Sequence, residues 1–157
     1  MGATTIWERW DGQKPDSTFQ TPGMNSFNHY AYGAIGDWMY RVVGGIELDE
    51  PGYKRIIIQP HPDKRLSFAR TSFSSPYGTI RSGWESKDGQ ISVMVTIPAN
   101  TTALIRLPGG SPEQITEGGK PLSSRGFRDI REEGKDIVFE AGSGEYTFNY
   151  AVQADAP

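Results

Sequence analysis

A chain of 157 residues can bury an apolar core of its own, and without cysteine it can form neither a disulfide nor a thiolate metal site. A formal net charge of -3 supplies no basic footprint, so no nucleic-acid partner is expected. No apolar run approaches the roughly 20 residues of a membrane span, so no membrane partner is expected either, while 19 Gly, 11 Pro and 11% aromatics suit a turn-rich β protein.

Residues 1–25 show no helical or strand period, and Gly12, Pro15, Pro22 and Gly23 break any helix. A long segment of this kind is usually functional or disordered. The stretch Thr5-Ile6-Trp7-Glu8-Arg9-Trp10-Asp11-Gly12 favours function, because it sets a carboxylate between two indoles and beside an arginine. The start lacks the regions of a secretion signal, and the chain opens almost inside this motif, as a piece of something longer would.

Residues 26–43 read as the one amphipathic α-helix. Phe27, Tyr30, Ala31, Ala34, Ile35, Trp38, Met39 and Val42 recur along one apolar face. Asn25 or Ser26 is in place to cap its start, and Gly44-Gly45 to end it. A face this wide must be buried against something. Docking on the rest of the chain, or pairing of two copies through the Trp38 helix, would cover it. His29 falls in the first turn, on a flank of the stripe.

Residues 46–52 look like a connector, after which the period becomes alternating. Tyr53 to Gln59 contains Ile56-Ile57-Ile58, a β-branched run fit for a buried strand. Leu66 to Ser74 and Tyr77 to Trp84 follow, turned around Ser75-Pro76. Asp88-Gly89 is a hairpin signal. Ile91, Val93, Val95 and Ile97 send one face to a core, and Ala103, Ile105 and Leu107 repeat the pattern. Gln114 to Thr116 and a short partner near Leu122 flank a second hairpin at Glu117-Gly118-Gly119-Lys120. The mixed charges from Arg125 to Glu133 read as a solvated edge. Asp136 to Glu140 and Tyr146 to Tyr150 close the set, with Tyr146, Phe148 and Tyr150 on one side. Strands at this spacing, with no helix between them, indicate a mainly β chain: an antiparallel, jelly-roll-like β-sandwich preceded by an irregular segment and one helix.

Two residues invite a chemical reading. A carboxylate acts as a general base where it can touch a water. Glu8 could do so, with Trp7 and Trp10 as walls that exclude bulk water and stack on a sugar; the alternative is a surface glutamate in a loop that buries its tryptophans. His29 could meet sugar hydroxyls, because an imidazole both donates and accepts; the alternative is a helix-end histidine bonded to backbone. No metal-ligand spacing, phosphate loop or Ser/His/Asp pattern stands out, so no metal and no cofactor are expected.

Taken together, Thr4 to Gly12, Ser26-Phe27-Asn28-His29-Tyr30-Ala31-Tyr32-Gly33-Ala34, Pro51-Gly52-Tyr53-Lys54-Arg55-Ile56 and Ser75-Pro76-Tyr77-Gly78-Thr79-Ile80 closely resemble the C-terminal end of bacterial α-L-rhamnosidases, family 78 of the glycoside hydrolases. The resemblance runs from Gly2 to Tyr150. It implies that residues 1–45 are the last loop and helix of a truncated (α/α)6 catalytic barrel. Residues 46–52 are then a connector, 53–150 a C-terminal β-sandwich and 151–157 a tail. It further implies hydrolysis of terminal α-L-rhamnose with inversion. Glu8, in a T-x-W-E-x-W string, would be the general base, and His29, in an S-x-N-H-Y string, would contact the sugar. The family's general acid lies upstream, in an acidic motif that this sequence does not contain. The implied partners are rhamnose-containing glycosides or plant polysaccharides and the missing upstream barrel. Two other functions fit the same chain. One is a stand-alone carbohydrate-binding module using Tyr77 and Trp84; the other is a purely structural accessory domain.

Overall fold

The computed structural model describes residues 2–151. The chain divides into two compact units, Met1–Trp38 and Met39–Pro157. The second is mainly β and is built from two sheets. The five-stranded sheet has the order β1 (Ile46–Leu48), β2 (Arg55–Ile58), β6 (Thr102–Pro108), β10 (Asp136–Ala141), β9 (Arg128–Glu133). The six-stranded sheet has the order β3 (Phe68–Ser75), β4 (Gly78–Lys87), β5 (Gln90–Ile97), β11 (Gly144–Ala151), β7 (Thr116–Glu117), β8 (Lys120–Pro121).

Alternation decides which side chains meet between the sheets. Ile91, Val93, Val95 and Ile97 of β5 are buried, as are Ala103, Ile105 and Leu107 of β6. They share one core with Ile56, Ile58, Ile137, Phe139, Phe148 and Tyr150. Phe139 lies 5.2 Å from Phe148 in an edge-on contact, and Phe127 packs on both. The turns carry the conformations their residues predict. Asp88 and Gly89 both have positive φ, the requirement of a two-residue hairpin turn, and Gly118 with Gly119 repeats it. All named pairings are antiparallel except β2 with β6. The chain leaves the five-stranded sheet after Ile58, builds β3, β4 and β5 in the other sheet, and returns beside β2. Such exchange between sheets is the sandwich signature.

Several expectations change. Residues 46–52, expected as a connector, contain β1, whose Ile46 to Leu48 pair with Ile58 to Ile56. The charged stretch before Glu133, expected as a solvated edge, is an exposed edge strand, β9, with a bulge in its pairing opposite Val138 to Glu140. Neither alternates strongly: β1 is only three residues long, and no residue of β9 is buried. Ala151, expected in the tail, ends β11, and residues 152–157 lie outside the described residues. Trp84 cannot be a sugar platform: it is 0% exposed, with its indole N–H donating to the Val43 carbonyl at 3.0 Å.

The helix is shorter than its periodicity suggests. It starts with a 3-10 turn at Tyr30–Gly33, continues as α1 (Ala34–Trp38) and ends in a π turn at Met39–Val43. His29 precedes the first turn, with extended dihedrals of φ -82 and ψ 106. The residues from Ser26 onward are not helical because their backbone groups are bonded elsewhere, as described below. At the far end Gly44 N–H donates to Met39 O at 2.9 Å, and Gly45 has φ +73. A Cβ on Gly45 would collide with the Pro60 backbone, so the glycine serves packing as well as the helix stop. The apolar face is not buried: Ile35 is 59%, Trp38 49% and Met39 53% exposed.

Core truncation should therefore hurt while surface truncation should not. Phe139→Ala is expected to lower unfolding free energy by about 3–5 kcal/mol, whereas Phe68→Ala, at a half-exposed edge position, should stay within about 0.5 kcal/mol. Urea denaturation of the two variants measures the difference.

Candidate active-site segment

In the first unit, two sequence-distant motifs run side by side. Glu8 N–H donates to Ser26 O at 2.8 Å, and His29 N–H donates to Ile6 O at 2.9 Å. The Thr5 hydroxyl donates to Phe27 O at 2.5 Å. These bonds keep Ser26 to His29 out of the helix, which starts only at Tyr30. The sequence expectation had placed Asn25 or Ser26 as a helix cap. Instead, the Asn25 side-chain amide donates to Gly12 O at 2.7 Å.

The Glu8 carboxylate is half-buried, and Ser26 N–H donates to its Oε2 at 3.1 Å. One oxygen is thus oriented by backbone. Among the described residues no hydrogen bond occupies the other, Oε1, which leaves it a place for water. Gly12 turns the chain just beyond. Its N–H donates to Arg9 O at 3.2 Å, Gln20 N–H donates to its carbonyl at 3.2 Å, and an added Cβ would stand 2.6 Å from Asn25 Oδ1.

The two indoles are placed differently. Trp7 is half-buried and meets Phe27 edge-on at 4.8 Å, and Phe27 also touches Phe19 at 5.6 Å. Trp10 is 100% exposed. His29 is half-buried, with its ring stacked 5.8 Å from that of Tyr30. A shallow depression of about 340 Å³ lies against Trp7, Phe19 and Phe27, but Glu8 does not line it. The pairing of the segments had no local signal in the sequence, since its hydrogen bonds mostly use backbone groups that every residue carries, and the side chains that help, Thr5, Trp7 and Glu8 against Ser26 and Phe27, lie far apart along the chain.

Nearby carboxylates differ in what they could do. Asp16 accepts from the Thr18 hydroxyl at 2.6 Å and from the Thr18 amide at 3.0 Å. Those bonds hold its carboxyl below the ordinary aspartate range. A proton donor needs the opposite shift. Among the described residues no cluster of His, Asp and Glu is placed to hold a metal ion.

Comparison with known proteins identifies what the two units are similar to. Residues 1–43 match the bacterial alpha-L-rhamnosidase 6 hairpin glycosidase domain, and residues 45–121 match the bacterial alpha-L-rhamnosidase C-terminal domain. An alpha-L-rhamnosidase of Streptomyces avermitilis is 40% identical over 147 residues, and one of Formosa agariphila is 40% identical over 149. Each alignment covers 94% of this chain, but the chain spans only 14% and 16% of those relatives' lengths. A crystal structure of the Streptomyces avermitilis alpha-L-rhamnosidase complexed with L-rhamnose matches with a TM-score of 0.74 at 38% identity, over 94% of this chain and 14% of that one.

The Asp16 bonds have a testable sign. A carboxyl whose folded pKa is depressed contributes stability above its unfolded value, and loses it as pH falls through the folded value. Asp16 should titrate below the ordinary aspartate range by carboxyl NMR, with the Thr18 amide shift following it; Asp16→Asn should remove that dependence. A midpoint at or above the ordinary value would contradict the geometry.

Proposed function

The chain belongs to the bacterial α-L-rhamnosidase family and matches its C-terminal portion, and on that premise we propose that it carries the general base of an inverting hydrolase of terminal α-L-rhamnosides. Glu8 is that base. The observation that carries the reading is the backbone pairing of Ile6 to Glu8 with Ser26 to His29, which fixes the carboxylate through the Ser26 amide and sets the His29 segment beside it.

The chemistry is a single displacement. Glu8 Oε1 takes a proton from water as the water oxygen bonds to the anomeric carbon. The glycosidic C–O bond breaks, and an acid on the opposite face gives its proton to the departing oxygen. Inversion needs the two carboxyl groups roughly 6.5–9.5 Å apart, to leave room for the water. Asp11 and Asp16 are the acids nearest Glu8 in sequence, and Asp16 is bonded as a carboxylate. The family resemblance implies a proton donor in the upstream part of the barrel, outside this chain. His29 contacts the rhamnose, Trp10 offers an open face for stacking on it, and Trp7, backed by Phe27, walls the base. The exposed side chains of Ile35, Trp38 and Met39 fit a helix that other barrel helices cover.

A chain with the base but not the acid should not turn over. No chromophore release from an aryl α-L-rhamnoside is expected from this chain alone, and turnover that disappears in Glu8→Gln would refute the expectation that the acid lies outside this chain. In a complete enzyme containing this chain, Glu8→Gln should lower kcat by roughly 10²- to 10⁴-fold with little change in KM.

A further inference from the structure

The solvent face of the six-stranded sheet holds a groove of about 680 Å³, within the size range of small-ligand sites. Pairing register assembles it from residues far apart in sequence. One row runs Arg70, Gly83, Met94; the next runs Arg81, Thr96, Glu145. The neighbouring residues Trp84, Val93 and Val95 point the other way, into the core.

The floor is flat because Gly83 has no side chain. A Cβ there would stand 2.9 Å from the Ala69 carbonyl oxygen, so the edge strand β3 can lie this close only over glycine. The walls are charged. Arg55, Arg106, Arg125 and Arg131 of the same unit each meet a carboxylate at 2.5–2.8 Å. Arg81 is exposed and, among the described residues, has no acidic partner. Arg70, diagonal to it, reaches Glu85 only at 4.0 Å and lies over the Phe68 ring at 5.3 Å. On the other side of Thr96 stands Glu145, two strands from Arg81. Two strand spacings make roughly 9–10 Å, enough to seat one pyranose ring with its substituents.

We propose that this groove binds an acidic saccharide. The sugar's acid group pairs with Arg81 and Arg70, its ring lies over Gly83 and Met94, and a hydroxyl donates to Glu145. A guanidinium recognises a carboxylate with two parallel hydrogen bonds, which gives orientation as well as affinity. A flat floor rimmed with charges and hydroxyls suits a polyhydroxylated ring better than a peptide, which would call for apolar side pockets. The groove is lined by residues of the second unit alone and does not depend on the role of Glu8.

The probe is trigalacturonate, titrated calorimetrically into the intact chain, with its methyl ester as the uncharged control. The acid should bind and the ester should bind at least tenfold more weakly. Arg81→Met should weaken the acid by at least tenfold, because a charge-assisted pair is lost. Arg81→Lys should retain part of the binding, and Glu8→Gln should leave it unchanged. Arg81 is exposed, so circular dichroism of its variants should match the parent. Equal binding of acid and ester, unchanged binding in Arg81→Met, or no binding of trigalacturonate would each overturn the proposal. None of these outcomes bears on rhamnoside hydrolysis through Glu8, so the two assignments fail separately.

Discussion

The second unit depends on one constraint: the strands of both sheets must turn one face toward a shared apolar layer. That layer holds Trp84, Phe139, Phe148 and Tyr150 together with a set of isoleucines and valines from both sheets. At roughly 25 cal/mol for each Å² of apolar surface removed from water, burial on this scale outweighs local preference. It also fixes register, since a slip of one residue would send every inward side chain to solvent. Two buried polar side chains find partners beside it. The Trp84 N–H finds the Val43 carbonyl, and Glu117, 7% exposed, is paired with Arg125. The phenol of Tyr150 stays protonated far into alkali because burial disfavours its charged form.

The first unit has no comparable layer. It is held by backbone hydrogen bonds between irregular segments, by the Asn25 and Gly12 contact, and by a small group of rings around Phe27. Contacts of this kind orient groups well but contribute little net stability, because each replaces a bond to water. The proposed base sits in this lightly built unit, while the stable mass lies in the sandwich. Its helical turns leave Ile35 and Trp38 exposed, which is costly for large apolar side chains and fits a segment shaped for neighbours of its own kind.

Register has a second consequence on the solvent side of the six-stranded sheet. The alternation that sends Trp84 and Val93 inward sends Arg81, Thr96 and Glu145 outward in one line. A requirement of the core thereby arranges charge on the surface. Arg55, Arg106, Arg125 and Arg131 are each neutralised by a nearby carboxylate, whereas among the described residues Arg81 has no acidic partner and Arg70 reaches one only at 4.0 Å.

The amino-acid sequence by itself determined the mainly β class, the strands with strong alternation, the hairpins at Asp88-Gly89 and Gly118-Gly119, and the family. Each of these is written in residues near one another: a period of two, a pair that tolerates positive φ, a string such as Trp7-Glu8-Arg9-Trp10. Tertiary structure alone decided the rest. The strands β1 and β9 bear weak patterns because one is only three residues long and the other buries none of its residues. The helix begins at Tyr30 because Ser26 to His29 give their backbone groups to Thr5 to Glu8. Trp84 is core rather than platform because its position in the register faces inward. Arg81 and Glu145 share a groove although 64 residues separate them in the numbering, because hydrogen bonding between strands, unlike side-chain periodicity, leaves no local trace in the chain.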